Sequence, residues 1–397
     1  MAAETIQSGN VGDSPRVSRH RKRRSRVRIL LLGALALFVV CAGAERLRFD
    51  LRSYSLLVHF VNPQASGPLL RLETNDVTSG EVTVPSPNGA VPARLYLPVG
   101  VARPPGMLIL HGIHHLGITD SRFINFSRAI AGSGFAVLTP EMAALADYHV
   151  DAASISIIGE SAAWLQQRLG TGPVTIIGLS FSGGLALLAA CDPRYAPHIR
   201  ALVPFGSYDD LSRVARFLAT GQEEFPDGRV VPYAAHDYGA SVFVYAHLAQ
   251  FFPPEDLPVA HEALRYWLWE QPSDAQPFLD KLSPSGRAIM DALLGRRIDL
   301  LRPRLLDAIR ADQEELEALS PHGHIAQLRV PVYIVHGSND NVIPPAESLW
   351  LEKDVPRDDL RGVLITPTFS HVDPRDRGWY AQLQLVHFLA RILRAAS

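Results

Sequence analysis

The sequence predicts an α/β fold: a mostly parallel, doubly wound sheet with a helical cap inserted after the sixth strand. Three observations predict it. Short apolar runs rich in β-branched residues alternate with longer helical runs, an order that places helices on both faces of a mostly parallel sheet. Two early runs are joined through Pro87-Asn-Gly89, a hairpin turn, so the sheet opens antiparallel. Between residues 211 and 320 the strand pattern stops, and a helix-like block of ~110 residues is too long for a loop.

The 397 residues, 47% hydrophobic and 20% charged, suffice for one large α/β domain with an insertion. Net charge is −2, unevenly spread: residues 1–28 carry eight Arg or Lys against Glu4 and Asp13. Such a basic run suggests nucleic acid, but here it directly precedes Ile29 to Ala44, sixteen residues without a charge. As a helix this run spans about 24 Å, slightly short of a ~30 Å bilayer core. Snorkelling Arg28 and Arg46 close the gap. The expectation is therefore an uncleaved signal anchor, with the basic end cytoplasmic, the rest exported, and no nucleic-acid partner. The alternative is a signal peptide cleaved after Ala42-Gly-Ala44, giving a secreted protein. The two cysteines, Cys41 and Cys191, show no metal-binding spacing, and no cofactor motif is present.

Leu47, Leu51, Tyr54, Val58 and Val61 fall at helical spacing and predict an amphipathic helix leading away from the membrane. A connector over 62–78 follows. Glu81 to Pro85 and Val91 to Leu97 form the hairpin strands. Met107 to Leu110 is a buried strand running into His111-Gly-Ile-His-His115. A helix near 122–133, a strand over Phe135 to Leu138 and a helix near 154–169 come next. Val174 to Gly178 is the fifth strand and Ile199 to Phe205 the sixth. After the block over 211–320, strands return at Val330 to Val335 and Arg361 to Ile365, and a helix over 379–394 closes the chain.

The fifth strand turns directly into a helical run through Gly178-Leu-Ser180-Phe-Ser-Gly-Gly184. A residue on such a bend is strained and exposed, and its neighbours at 178 and 182 must be small because strand and helix pass close. This resembles the nucleophile elbow of the α/β-hydrolase family, with Ser182 standing where the family most often has Gly. Ser182 is also the rival nucleophile. A serine needs a general base, and the base an orienting carboxylate. His336-Gly-Ser-Asn-Asp340-Asn-Val-Ile-Pro344 is similar to the family's acid turn, and Thr366-Pro-Thr-Phe-Ser-His371 places His371 after the last strand. The order Ser, acid, His is that of the family. Asp209 or Asp210, after the sixth strand, is the alternative acid.

The resemblance covers about residues 80–210 and 325–397. It implies hydrolysis through an acyl-enzyme with Ser180 as nucleophile, His371 as base and Asp340 orienting it. It also implies an oxyanion hole made by the N–H of Phe181 and that of Ile113, or alternatively Gly112. His111-Gly-Ile113 resembles the family's His-Gly oxyanion loop, though His114-His115 departs from the His-Gly-Gly-Gly form and lacks partners for a metal. Candidate substrate-binding residues are His111, Tyr266, Trp267 and Trp269. The cap's Phe251, Phe252, Tyr266, Trp267 and Trp269 are either acyl-site lining or the cap's own core. The expected partner is a small-molecule ester or lipid-like substrate, with the membrane reached through the N-terminal helix. Two other readings stay open: a peptidase, amidase or acyltransferase using the same triad, with Glu255, Asp256 or Glu262 binding an amine, and a catalytically silent binding protein. The boundaries that follow are a basic cytoplasmic tail over 1–28, a transmembrane or signal segment over 29–44, a juxtamembrane helix and connector over 45–78, a hydrolase core over 79–210 and 325–397, and the cap over 211–324.

Overall fold

The computed structural model describes residues 43–87, 89–371 and 378–397. The basic tail, nearly all of the 29–44 segment and the hairpin-turn residue Asn88 lie outside the described residues. Among the described residues no helix is long and apolar enough to cross a membrane. The chain divides at Phe49. Residues 43–49 are helical, and Asp50–Ser397 form one compact unit that carries the sheet, the cap and every candidate site residue.

That unit opens with helix α1 (residues 50–61) and a short α2 (Pro68–Leu72). The face of α1 that packs inward is not the predicted one. Ser53, Ser55 and Leu56 are buried, whereas Tyr54 and Val61 are exposed. Two small serines let the helix sit close to its neighbours, and the Ser55 hydroxyl lies 2.7 Å from that of Thr74.

β1 (Val77–Ser86) and β2 (Gly89–Pro98) form the expected antiparallel hairpin, longer than the pattern indicated. β3 (Gly106–Leu110), α3 (Ser121–Gly132), β4 (Ala136–Pro140), α4 (Ala143–Ala146), α5 (Ala152–Leu169), β5 (Val174–Leu179), α6 (Phe181–Cys191) and β6 (Ile199–Phe205) then alternate. Asp120 and Asp151 cap α3 and α5 by accepting from the N–H of Arg122 and of Ser154. The sheet order is β1-β2-β4-β3-β5-β6-β9-β10, with β9 at Val332–Gly337 and β10 at Leu360–Thr366. Pairings from β4 to β10 are parallel; β2 alone runs against the rest, since β1 pairs antiparallel to it and so points the same way as β4.

Strands buried on both faces read as continuous apolar runs, as β3 and β5 do. Leu108, Leu110, Val174, Ile176 and Leu202 pack against Ile158, Ala162 and Leu165 of α5 and Leu185 and Leu187 of α6. α3 and the closing helix pack on the other face, where Tyr333 meets Phe388 edge-on.

The inserted block comprises α7 (Leu211–Thr220), a two-stranded ribbon of β7 (Gln222–Glu224) and β8 (Val230–Pro232), and seven helices: α8 (Asp237–Ala246), α9 (Leu248–Phe251), α10 (Leu257–Leu268), α11 (Pro272–Leu279), α12 (Pro284–Leu294), α13 (Ile298–Ala311) and α14 (Gln313–Ala318). The ribbon escaped the sequence reading because each strand is three residues long, too short to show alternation. The block has its own core, which includes Phe251, Phe252, Leu264, Met290 and Leu305. α15 (Ala346–Asp354) and α16 (Trp379–Ala396) complete the fold.

Candidate active site

Ser180 sits between β5 and α6 with φ 57° and ψ −128°. A non-glycine residue there stores of order 1–3 kcal/mol of strain, which the surroundings must hold in place. The Ser180 N–H donates to the Phe205 carbonyl at 2.8 Å. Strand and helix approach so closely that a Cβ on Gly178 would lie 2.5 Å from Gly183 Cα. The need for small residues therefore falls on Gly178 and Gly183. Ser182 is fully buried, and its hydroxyl donates to the carbonyls of Leu179 at 2.8 Å and Leu110 at 3.2 Å. It ties the helix start to β3 and is not available as the rival nucleophile.

Ser180 Oγ lies 2.9 Å from His371 Nε2, and His371 Nδ1 lies 2.5 Å from Asp340 Oδ2. A carboxylate only accepts, so Nδ1 carries the proton and Nε2 is left to accept from the serine hydroxyl. Asp340 is fully buried at the end of β9. Its other oxygen accepts from the N–H of Val342 at 2.9 Å and of Ile343 at 3.0 Å. Burial works against its charge, but the charge and hydrogen bonds of His371 and His336 outweigh it and hold the carboxyl down at about 2. His336 was missed as a site residue. It is fully buried, 3.4 Å from Asp340 Oδ2, and locked by Ser348 Oγ at 2.6 Å and the Ile343 carbonyl at 2.9 Å. It opens the acid turn in sequence, which is the one signal that placed it near Asp340.

Asp209 and Asp210 do not meet His371. Asp210 caps α7 through the N–H of Ser212 and Arg213. Asp209 accepts from Arg213 Nη2 at 2.8 Å, and Arg213 also donates to Glu347 at 2.5 Å. Burial and the neighbouring Glu347 push the Asp209 carboxyl up to about 7. Asp209, His322 and Asp354 cluster together, but the Arg213 guanidinium already occupies Asp209, so this is an ion-pair network that fastens the start of the cap to α15.

Gly112 faces Ser180: a Cβ there would lie 2.9 Å from Ser180 Cβ. The N–H groups of Phe181 and Ile113 have no acceptor among the described residues, as two donors reserved for a ligand oxygen require. His111 lines the cavity, as expected of a substrate-facing residue, but its ring is already held by the protein. It is buried, its Nδ1 donates to the Gly112 carbonyl at 2.8 Å, and its Nε2 accepts from Met142 N–H at 3.0 Å. With both nitrogens used, it positions the 111–113 loop and presents its ring to the cavity. His114 and His115 stack at 4.7 Å, and His115 stacks on Trp269 at 5.4 Å, joining this loop to the cap. Burial lowers the pKa of both, opposed by Asp120 and Glu270.

Ser180 and His371 open into a cavity of about 1130 Å³. On the cap side its walls include Val214, Leu218, Val242, Phe243 and Tyr238, so the inserted block covers the site. Among the described residues these walls do not include Tyr266, Trp267 or Trp269. Tyr266 stacks on Phe278, Trp269 on His115, and Trp267 is partly exposed. Phe251 and Phe252 are buried in the cap's core. Nor do the walls include the candidate amine-binding acids. Asp256 is buried and bonded to Ser283 N–H at 2.9 Å, and Glu262 contacts His261 at 3.0 Å.

The profile of the alpha/beta hydrolase fold matches residues 105–367. Among solved structures, the chain is similar to the esterase domain of a Rhodothermus marinus protein, at 15% identity over 80% of this chain and 96% of that one, with a TM-score of 0.42. It is similar to the rice cell wall degrading esterase LipA from Xanthomonas oryzae, at 14% identity over 80% and 89%, with a TM-score of 0.48. It is also similar to an acylaminoacyl peptidase in complex with Z-Gly-Gly-Phe-chloromethyl ketone, at 11% identity over 82% of this chain and 43% of that one, with a TM-score of 0.49. None of the curated proteins compared matches the chain.

Proposed function

The chain belongs to the alpha/beta-hydrolase fold family, and from that premise we propose that it is a serine hydrolase that cleaves carboxylic esters through an acyl-enzyme. The observation that carries this reading is the relay from Ser180 through His371 to a buried, ionised Asp340, at the mouth of a largely apolar cavity. Ser180 Oγ attacks the ester carbonyl as His371 Nε2 takes its proton. Asp340 holds Nδ1–H and stabilises the imidazolium. The amides of Phe181 and Ile113 receive the oxyanion. His371 then protonates the leaving alcohol, and a water activated the same way releases the acid and restores Ser180.

The sequence of the N-terminal region supports a membrane-anchored form with residues 45–397 exported, or a secreted form cleaved near Ala44.

The experiment is a rapid-mixing assay on the full chain with p-nitrophenyl butyrate beside the matching p-nitroanilide. A burst of p-nitrophenol near one per chain, absent in Ser180→Ala, is the expected result. Faster cleavage of the anilide would replace the ester reading with an amidase. No turnover of either by the folded chain would leave a binding protein.

A further inference from the structure

The cavity at Ser180 does not stop beneath the cap. It continues along the opposite face of the sheet, where Ile177 and Val203 of the central strands form its floor. Its walls there are Leu57 and Phe60 of α1, Phe126 of α3 and Ile392 of α16. Protein interiors are close-packed, and voids larger than a water are few. An open arm between three helices and the sheet is therefore built space. Val61, at the end of α1, lines it too and is 67% exposed, so the arm reaches the surface there. Both α1 and α16 lie outside the residues 105–367 that the family profile matches. The whole cavity, cap side and arm together, holds about 1130 Å³, more than the ~300–1,000 Å³ of ordinary small-ligand pockets.

We propose that this arm is the acyl-chain site for long, unbranched fatty acyl esters, with α1 as its outer wall. The proposal rests on Ser180 being the nucleophile, since the arm is continuous with the space in front of Ser180 Oγ. The polar lining residues on α3 are Arg122 and Asn125. Leu57, Phe60, Phe126 and Ile392 are apolar, so a polar group placed among these four is left unpaired. A methylene chain has no such group. Each methylene moved from water into the arm favours binding by up to about fourfold. The cap-side space at Val214 and Phe243 is left for the alcohol portion.

The test is a chain-length profile. The full chain in detergent micelles is given p-nitrophenyl esters from four to sixteen carbons, and the ratio of kcat/KM for dodecanoate to that for butyrate is read. The ratio is expected to exceed about tenfold in the wild type and to fall at least tenfold in Leu57→Trp and in Ile392→Trp, which fill the arm from two different helices. Leu57→Ala, which widens it, is expected to move the optimum to longer chains. A ratio unchanged in the folded variants would overturn the proposal, because tryptophan in the arm would then obstruct nothing the chain uses.

A binding readout separates this proposal from the catalytic one. Ser180→Ala is titrated with cis-parinaric acid and competed with dodecanoate, and Leu57→Trp in that background is expected to weaken binding at least tenfold. If the wild type cleaves no ester but this binding and its loss are seen, the arm stands as a fatty-acyl site and the hydrolase reading falls. If neither ester cleavage nor binding is seen, the arm falls.

Discussion

Replacing Asp340 with Asn tests two consequences of one buried charge. The carboxyl's pKa drops from 3.8 to about 2 on folding. At ~1.4 kcal/mol per tenfold, this favours the folded, ionised form by about 2 kcal/mol. Because the folded-state pKa is the lower one, that stability is fully present above pH 3.8 and is lost as the pH falls toward 2. Asp340→Asn is therefore expected to lower stability in urea unfolding by about 2 kcal/mol at pH 7, with the difference vanishing as wild-type Asp340 itself becomes protonated. The second consequence is kinetic. Asn presents either an amide N–H or a carbonyl to His371 Nδ1, so it neither fixes the tautomer nor stabilises the imidazolium. A loss in kcat of about 10⁴ follows, or roughly 5 kcal/mol of transition-state stabilisation, with KM little changed. A variant that loses the stability but keeps kcat within tenfold of wild type would refute the reasoning. It would show that Asp340 is a structural anion and that another group serves His371.

Three further outcomes follow from the same geometry. Gly112→Ala puts a backbone-fixed carbon 2.9 Å from Ser180 Cβ, and kcat is expected to fall about ten- to hundredfold while the chain still folds, as steady-state kinetics beside thermal melts would read. Asp209→Asn is expected to leave kcat within about threefold, because Asp209 is bonded to Arg213 and not to His371; a loss of kcat matching that of Asp340→Asn would contradict this. Folding lowers the pKa of His114 and His115 from their ordinary 6.5, so the unfolded chain binds more protons below that pH. Stability is therefore expected to be full above about 6.5 and to fall as the pH drops below it. His115→Phe, which keeps a ring on Trp269 without a charge, is expected to flatten that fall in melts across the range, and an unchanged slope would count against the stacked pair as its cause.

The parts legible in the sequence were those whose signal is local. A run of apolar residues, a glycine and a serine before a helical run specify a strand, a bend and a helix within twelve residues, and Ser180 stands where that pattern puts it. Asp340 and His371 were legible as ends of strands in a fixed order, and the fold brings both to Ser180. What stayed hidden depends on which side of a helix faces inward. Tyr266, Trp267 and Trp269 drew attention by size, yet the cavity is walled by Val214 and Phe243, which carry no distinguishing pattern. On α1 the apolar spacing marked Tyr54 and Val61, while close packing favoured the small Ser53 and Ser55. The ion pairs joining Arg213 to Asp209 and to Glu347 span 134 positions at their longest, and no local pattern encodes a contact at that separation. The same holds for the arm of the cavity, which is assembled from helices at opposite ends of the chain.

The most direct test of the central claim is covalent. The folded full chain is treated with a fluorophosphonate probe, alongside Ser180→Ala and Ser182→Ala, and the adduct is mapped by mass spectrometry. One adduct per chain is expected on the peptide carrying Ser180, abolished by Ser180→Ala. In Ser182→Ala, where only a buried hydroxyl bonded to Leu110 and Leu179 is lost, an adduct on Ser180 is still expected. An adduct on Ser182, or none on a folded wild-type chain, would contradict it.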